Sequence, residues 1–120
     1  MTLLESATSW LAAQRKAHLA REVTYQRGTE SITLLAQPGR TRFEQVDQHG
    51  VLHVLESRDY IVAAADLVLG LPQSGDRIRE PAGTQTLVYE VLAYGDEPPW
   101  RYVDPHRLQV RFHTKQIGTE

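Results

Sequence analysis

The first apolar positions of the chain recur with a helical period. At about 100° per residue, Leu3, Leu4, Ala7, Trp10 and Leu11 fall on one face. Thr2 and Glu5 have the spacing of a capping box, in which the hydroxyl and the carboxylate satisfy orphan N–H groups. This pattern predicts one long helix over residues 2–22. Beyond Gln14 the stripe gives way to Arg15, Lys16, His18 and Arg21. Positive side chains suit the last turns of a helix, so capping and solubility account for them more simply than a phosphate contact.

From Val23 the pattern changes to short β-prone runs. Residues 23–25 read as a strand and residues 27–30 as a turn. The strand over residues 31–36 runs up to Pro38-Gly39, a strong breaker pair. In residues 40–46 charged side chains alternate with Thr41 and Phe43, and Val46 follows after a slip of phase. Asp47-Gln48-His49-Gly50 predicts a hairpin turn into a strand over residues 51–56. Ser57-Arg58-Asp59 then reads as a turn before Tyr60-Ile61-Val62. Residues 63–69 have room for a single helical turn, with Asp66 interrupting an apolar run.

The segment Leu71-Pro72-Gln73-Ser74-Gly75-Asp76 is a polar turn that delivers the chain into Arg77-Ile78. A loop around Gly83 leads to a nearly continuous apolar strand over residues 86–94. After Gly95-Asp96-Glu97-Pro98-Pro99 come a strand over residues 100–103, the turn at Asp104-Pro105 and a last strand over residues 108–114. There, Leu108, Val110 and Phe112 share one face. One helix followed by six or seven short strands predicts a mainly β protein, a small β-barrel or sandwich with one N-terminal α-helix. The expected organisation is a single domain over residues 1–120: helix 1–22, barrel 23–114 and a flexible polar tail 115–120. The βαβ alternation of a nucleotide-binding parallel sheet is missing.

Composition narrows the function classes. A net charge of −2 supplies no basic field for nucleic acid. No apolar run reaches the roughly 18 residues that span a bilayer. Glu5 and Ser6 interrupt any signal-peptide core, and the chain has no cysteine. Thiolate metal sites and disulfides are thereby excluded, which fits assembly in a cytoplasm. A small domain without either often gains stability by oligomerising.

Candidate chemistry is sparse. His49 and His53 straddle a turn and a strand, while His106 and His113 lie at opposite ends of the last strand. No motif of metal-ligand spacing is present, so neither a metal nor another cofactor is expected. Ser57 and Ser74 lack a nucleophile elbow, and nothing in the sequence designates a histidine partner. The carboxylate pairs Glu56/Asp59 and Asp96/Glu97 read as solvated turn residues. The chain is therefore not expected to be an enzyme.

Contact surfaces are better supported. Trp100, Arg101 and Tyr102 follow two stiffening prolines and are residue types enriched at binding hot spots. Trp100 could equally plug one end of the barrel, and Trp10 poses the same choice between core anchor and docking face. Arg40, Arg42 and Arg58, with Tyr60 nearby, make a modest basic–aromatic face for nucleic acid that Glu44, Glu56 and Asp59 blunt, and the mixed-sign surface suits protein contact better.

The order of these elements resembles the head–tail attachment proteins of lambda-like phages, also called head-closure, stopper or neck proteins. Residues 2–21, 23–25 and Gly39-Arg40-Thr41-Arg42-Phe43-Glu44 are similar to the family's first half. Tyr60-Ile61-Val62-Ala63-Ala64-Ala65-Asp66-Leu67, Gln73-Ser74-Gly75-Asp76-Arg77-Ile78 and Leu87-Val88-Tyr89-Glu90-Val91-Leu92 are similar to its second. Residues 96–105 depart from it, being longer and more aromatic. The resemblance implies a structural virion protein with no substrate, located in the virion neck after assembly in the host cytoplasm. It implies a homo-oligomeric ring between portal or adaptor and tail, with packaged DNA passing through the lumen without sequence-specific binding and no membrane. Residues 45–50 and 115–120 would order on docking, Asp47 would repel DNA phosphate, and Arg40 and Arg42 would pair with acidic neighbours. Alternative readings are a tail terminator or a small cytoplasmic ligand- or peptide-binding β-barrel that uses Trp100 and Tyr102 for stacking.

Overall fold

The computed structural model of the chain describes residues 20–120. The expected helix and Trp10 lie outside the described residues, except that Arg21 and Glu22, expected in its last turn, open a strand instead. Seven strands follow: β1 (Arg21–Arg27), β2 (Glu30–Val46), β3 (Leu52–Ala63), β4 (Arg77–Ala82), β5 (Gln85–Val91), β6 (Trp100–Tyr102) and β7 (Gln109–Thr119). All of their pairings are antiparallel.

The strand order is β3-β2-β1-β4-β5-β7-β6, and an additional β3–β7 pairing closes the sheet on itself. The result is the mainly β barrel that the turn-punctuated strands predict. β7 makes the closure by serving three partners. Its residues 109–114 pair with β3 and its residues 114–119 pair with β5. β6 lies against Val110–Phe112, where β5 has ended.

Period-two alternation fills the barrel. Val23 and Tyr25, Leu34 and Ala36, Tyr60 and Val62, Ile78, Tyr89 and Val91, and Val110 and Phe112 all turn inward and are buried. Tyr60 links two aromatic partners at its centre, with ring centroids 5.7 Å from Phe112 and 5.8 Å from Tyr89. Tyr25 meets Phe112 edge-on at 5.8 Å. Such pairs contribute roughly 0.5–1.5 kcal/mol beyond the area they bury. A single 3₁₀ turn, Ala64–Asp66, follows β3 as the sequence allows.

Three expectations are corrected. Pro38-Gly39 does not break the chain, because β2 runs through it with Pro38 opposite Tyr60. The last β1–β2 pair is Arg21↔Ala36, so among the described residues Pro38 sits where β2 is bonded to β3 alone. An edge position tolerates a residue with no N–H. Ser57-Arg58-Asp59 is not a turn but the middle of β3. There Ser57 and Asp59 are buried; Ser57 donates to the Asp59 carboxylate, which also bonds to side chains of β2 and β7 rather than to local backbone. Residues 115–119 are not a tail, since they pair with β5 from Glu90↔Lys115 to Leu87↔Thr119. Their side chains are exposed, so hydropathy conceals a backbone that pairs with β5 along one edge.

The β2–β3 hairpin extends past the barrel. From Thr41↔Ser57 to Val46↔Leu52 the two strands pair only with each other among the described residues. Asp47 closes this arm as expected. Its carbonyl accepts from Gly50 N–H, and its carboxylate accepts from the N–H groups of His49 and Val51 at 2.8 and 2.9 Å. Gly50 has φ +78°, a left-handed conformation that glycine adopts without penalty.

Candidate functional site

The arm concentrates exposed apolar surface. On one of its faces Val46, Leu52 and Val54 are 68%, 55% and 49% exposed, and Val51 and Leu55 are exposed nearby. The apparent slip at Val46 is absent, because the register holds through Val46↔Leu52 and Glu44↔Val54. Those cross-strand partners are what join three apolar side chains into a patch, and they are invisible when each strand is read alone.

Arg40 and Arg42 stand on the same face, and both are exposed. Arg40 lies 3.5 Å from Glu56 and Arg42 lies 3.3 Å from Glu44, so their acidic neighbours are in their own hairpin. Exposed pairs of this kind contribute about 0–1 kcal/mol and exchange readily for other partners. Asp47 at the arm tip accepts from His53 Nε2 at 2.8 Å. That bond, with the Val51 N–H, holds its carboxyl below the usual carboxylate range.

The other candidates form a separate patch on β6. Trp100 and Tyr102 share a face, with centroids 5.1 Å apart at 84°, and both are half-buried against the core. Trp100 therefore rests on the barrel and keeps an outer edge. Arg107 places its guanidinium 5.5 Å over the Tyr102 ring. It has φ +58°, and its N–H donates to the Asp104 carbonyl at 3.2 Å. Arg101 is exposed and projects from the opposite face of β6, in register with Arg111. The structure thus brings Trp100 and Tyr102 together but separates them from Arg101, and it places Arg42 on the arm and Arg40 at its base.

Three buried polar clusters were not foreseen. Around Asp59, Ser57 Oγ and His113 Nδ1 donate to Oδ1, while Thr41 Oγ1 and Arg111 Nε donate to Oδ2. The His113 and Arg111 contacts are 2.8 and 2.6 Å. Burial alone would raise this carboxyl, but the four donors outweigh it and hold the group at about 2. Serine, histidine and aspartate are therefore neighbours after all, a relation created by β3–β7 pairing across 54 residues of sequence. The arrangement differs from a charge-relay triad. Ser57 and Asp59 both meet Nδ1 of His113, whereas a relay needs the serine on Nε2.

The second cluster explains the Ser74-Gly75-Asp76 turn. Asp76 is buried and accepts from the Tyr25 hydroxyl, from Arg27 Nη2 at 2.8 Å and from Gln73 N–H at 3.0 Å. Arg27 also donates to the carbonyls of Leu69 and Leu71. Burial opposes ionisation of Asp76, yet Arg27 and Tyr25 prevail and lower its pKa. Burial and the Asp76 charge push the Tyr25 hydroxyl upward. The turn is thus a barrel corner bolted to β1.

The third cluster lies inside the barrel, where Arg58 Nη2 is 3.0 Å from both carboxylate oxygens of Glu80. Its guanidinium sits 5.6 Å from the Tyr60 ring and 5.7 Å from that of Tyr89. Among the described residues, no group of three or more histidine, cysteine, aspartate or glutamate residues has a geometry that could hold a metal ion. No described helix is long and apolar enough to cross a membrane.

Comparison with known proteins assigns the chain at the level of a family. A family model described as phage head-tail joining protein matches residues 1–120. A search of curated proteins returned no match.

Proposed function

The chain belongs to the phage head–tail joining protein family, and we propose that it does this joining as a ring-forming component of the virion neck, between portal or adaptor and tail. Family membership makes it a virion protein that contacts other head and tail proteins.

The observation that carries the proposal is the arm. It reaches beyond the barrel and carries half of the exposed large hydrophobic side chains among the described residues: Val46, Val51, Leu52, Val54 and Leu55 out of ten. An apolar patch rimmed by exchangeable ion pairs is the composition of a protein-binding surface. Set at one end of an asymmetric body, it favours heterologous contacts, which close into a ring when the rotation per subunit allows. The mixed charge of the arm suits a wall past which DNA slides rather than a site that grips it. Tyr25, Tyr60, Phe112 and Glu80 fill the barrel interior, so a ligand-binding barrel would have to use the half-buried Trp100 and Tyr102 on its outside.

The test is complementation of a phage lacking this chain, scored by electron microscopy. The wild-type gene restores tailed particles carrying antibody label at the neck. The Leu52→Asp/Val54→Asp double variant yields folded protein but leaves separate heads and tails. Normal joining by that variant removes the arm from the mechanism, and label elsewhere on the particle removes the neck assignment.

A further inference from the structure

We infer that the Asp59 cluster is a post that fixes the direction of the arm relative to the barrel. It stands on the outer side of the barrel wall, where β7 ends its pairing with β3 at Arg58↔Thr114 and the arm begins. Its members come from three strands: Thr41 from β2, Ser57 and Asp59 from β3, and Arg111 and His113 from β7. Each oxygen of Asp59 takes two donors, which fills the acceptor sites of the carboxylate and leaves it no alternative rotamer with equal bonding.

Arg111 extends the fastening to the backbone at the base of the arm. Its Nη2 donates to the Arg40 carbonyl at 2.6 Å. To do so the guanidinium lies across Gly39, where a Cβ would come within 3.3 Å of Nη2. β2 is therefore held at two consecutive residues, Arg40 through its carbonyl and Thr41 through its hydroxyl. Phe43 adds an aromatic brace, stacked on Tyr94 at 4.9 Å and 7° and edge-on to His113 at 5.2 Å. The Tyr94 hydroxyl in turn donates to the Thr114 carbonyl at 3.0 Å.

Physical reasoning gives this arrangement a purpose beyond adhesion. A two-stranded ribbon alone is marginally stable and strongly twisted, so its direction is not set by its own pairing. Apolar side chains of similar volume would hold three strands together as well as a buried charged cluster, or better. What directional hydrogen bonds add is one geometry in place of several. The inference concerns the attitude of the arm and holds whatever the arm contacts.

The chain has no cysteine, so spin labels can be placed at Gln48→Cys on the arm tip and Thr84→Cys on the β4–β5 turn without background. Double electron–electron resonance then reads the tip-to-barrel distance. The parent gives a single narrow distribution. Thr41→Val and Asp59→Asn broaden it at least twofold while barrel amides keep their hydrogen-exchange protection. Ile78→Val, which loosens the core without touching the cluster, leaves the width unchanged. If Asp59→Asn does not fold, Thr41→Val decides, because it removes only the donor on the arm. A parent-like width in Thr41→Val overturns the inference, as does equal broadening in Ile78→Val.

Discussion

Removing the Asp76 carboxylate is expected to destabilise the fold by about 3 kcal/mol. The figure is bracketed by two magnitudes. Charge-assisted hydrogen bonds are worth roughly 1.5–3 kcal/mol, and stripping one partner from a buried ion pair costs roughly 3–5 kcal/mol. Asp76→Ala leaves Arg27 without its counter-ion and Tyr25 with a buried hydroxyl and no acceptor. The Arg27 side chain is 23% exposed and keeps the carbonyls of Leu69 and Leu71, so the cost falls where the two ranges meet. At about 4–8 °C per kcal/mol for a domain near 100 residues, Tm falls by roughly 12–24 °C. Urea unfolding followed by tryptophan fluorescence measures the change at constant temperature, and calorimetry gives Tm. A cycle with Arg27→Met separates the pair from its surroundings, with an expected coupling of at least about 1 kcal/mol. Additive single variants, or a loss below about 1 kcal/mol, would refute the view that Asp76 bolts the turn to β1.

Protonation of Asp59 should be visible as acid lability. Its carboxyl is lowered from 3.8 to about 2, so its contribution of roughly 2 kcal/mol is complete above about pH 4 and is lost as pH falls towards 2. The urea midpoints of wild type and Asp59→Asn, well apart at pH 7, should converge at pH 2, and a constant gap would contradict the assignment. Deletion of residues 115–120 leaves β5 only the Val91↔Thr114 pair with β7, and it should abolish cooperative unfolding and near-ultraviolet circular dichroism, whereas removal of a tail would leave both intact. Ile78→Ala, at a fully buried site, should cost about 2–5 kcal/mol. Val68→Ala, at a side chain 74% exposed, should stay within about 0.5 kcal/mol in the same urea assay.

Elements set by local chemistry were legible in the sequence. Asp47-Gln48-His49-Gly50 makes its hairpin because the aspartate caps its own turn and the glycine accepts a positive φ. Leu108, Val110 and Phe112 alternate as a strand requires, and Val110 and Phe112 are buried. What depends on a distant partner was not legible. Ser57-Arg58-Asp59 has turn composition, and only β7 opposite it supplies the histidine and arginine that make it a strand interior. Residues 115–119 show no burial pattern because the sheet claims their backbone and leaves their side chains in water. The site followed the same division. Trp100 and Tyr102 were identifiable by residue type and lie together, but the apolar face of the arm needs the register of two strands to be seen.

The threefold service of β7 has a consequence for the order of events during synthesis. It is the last of the seven strands to be made, and without it β3 and β5 have free edges and the barrel has no wall between them. The nascent chain can form the β1–β2, β2–β3 and β4–β5 hairpins, all of which join neighbours in sequence, but must wait for residues 109–119 before it can close. Pairings between strands far apart in sequence are slow, because the entropy of loop closure is lost before contacts repay it. Because closure waits for β7, the step that completes the barrel is also the step that withdraws the free edges of β3 and β5 from other chains.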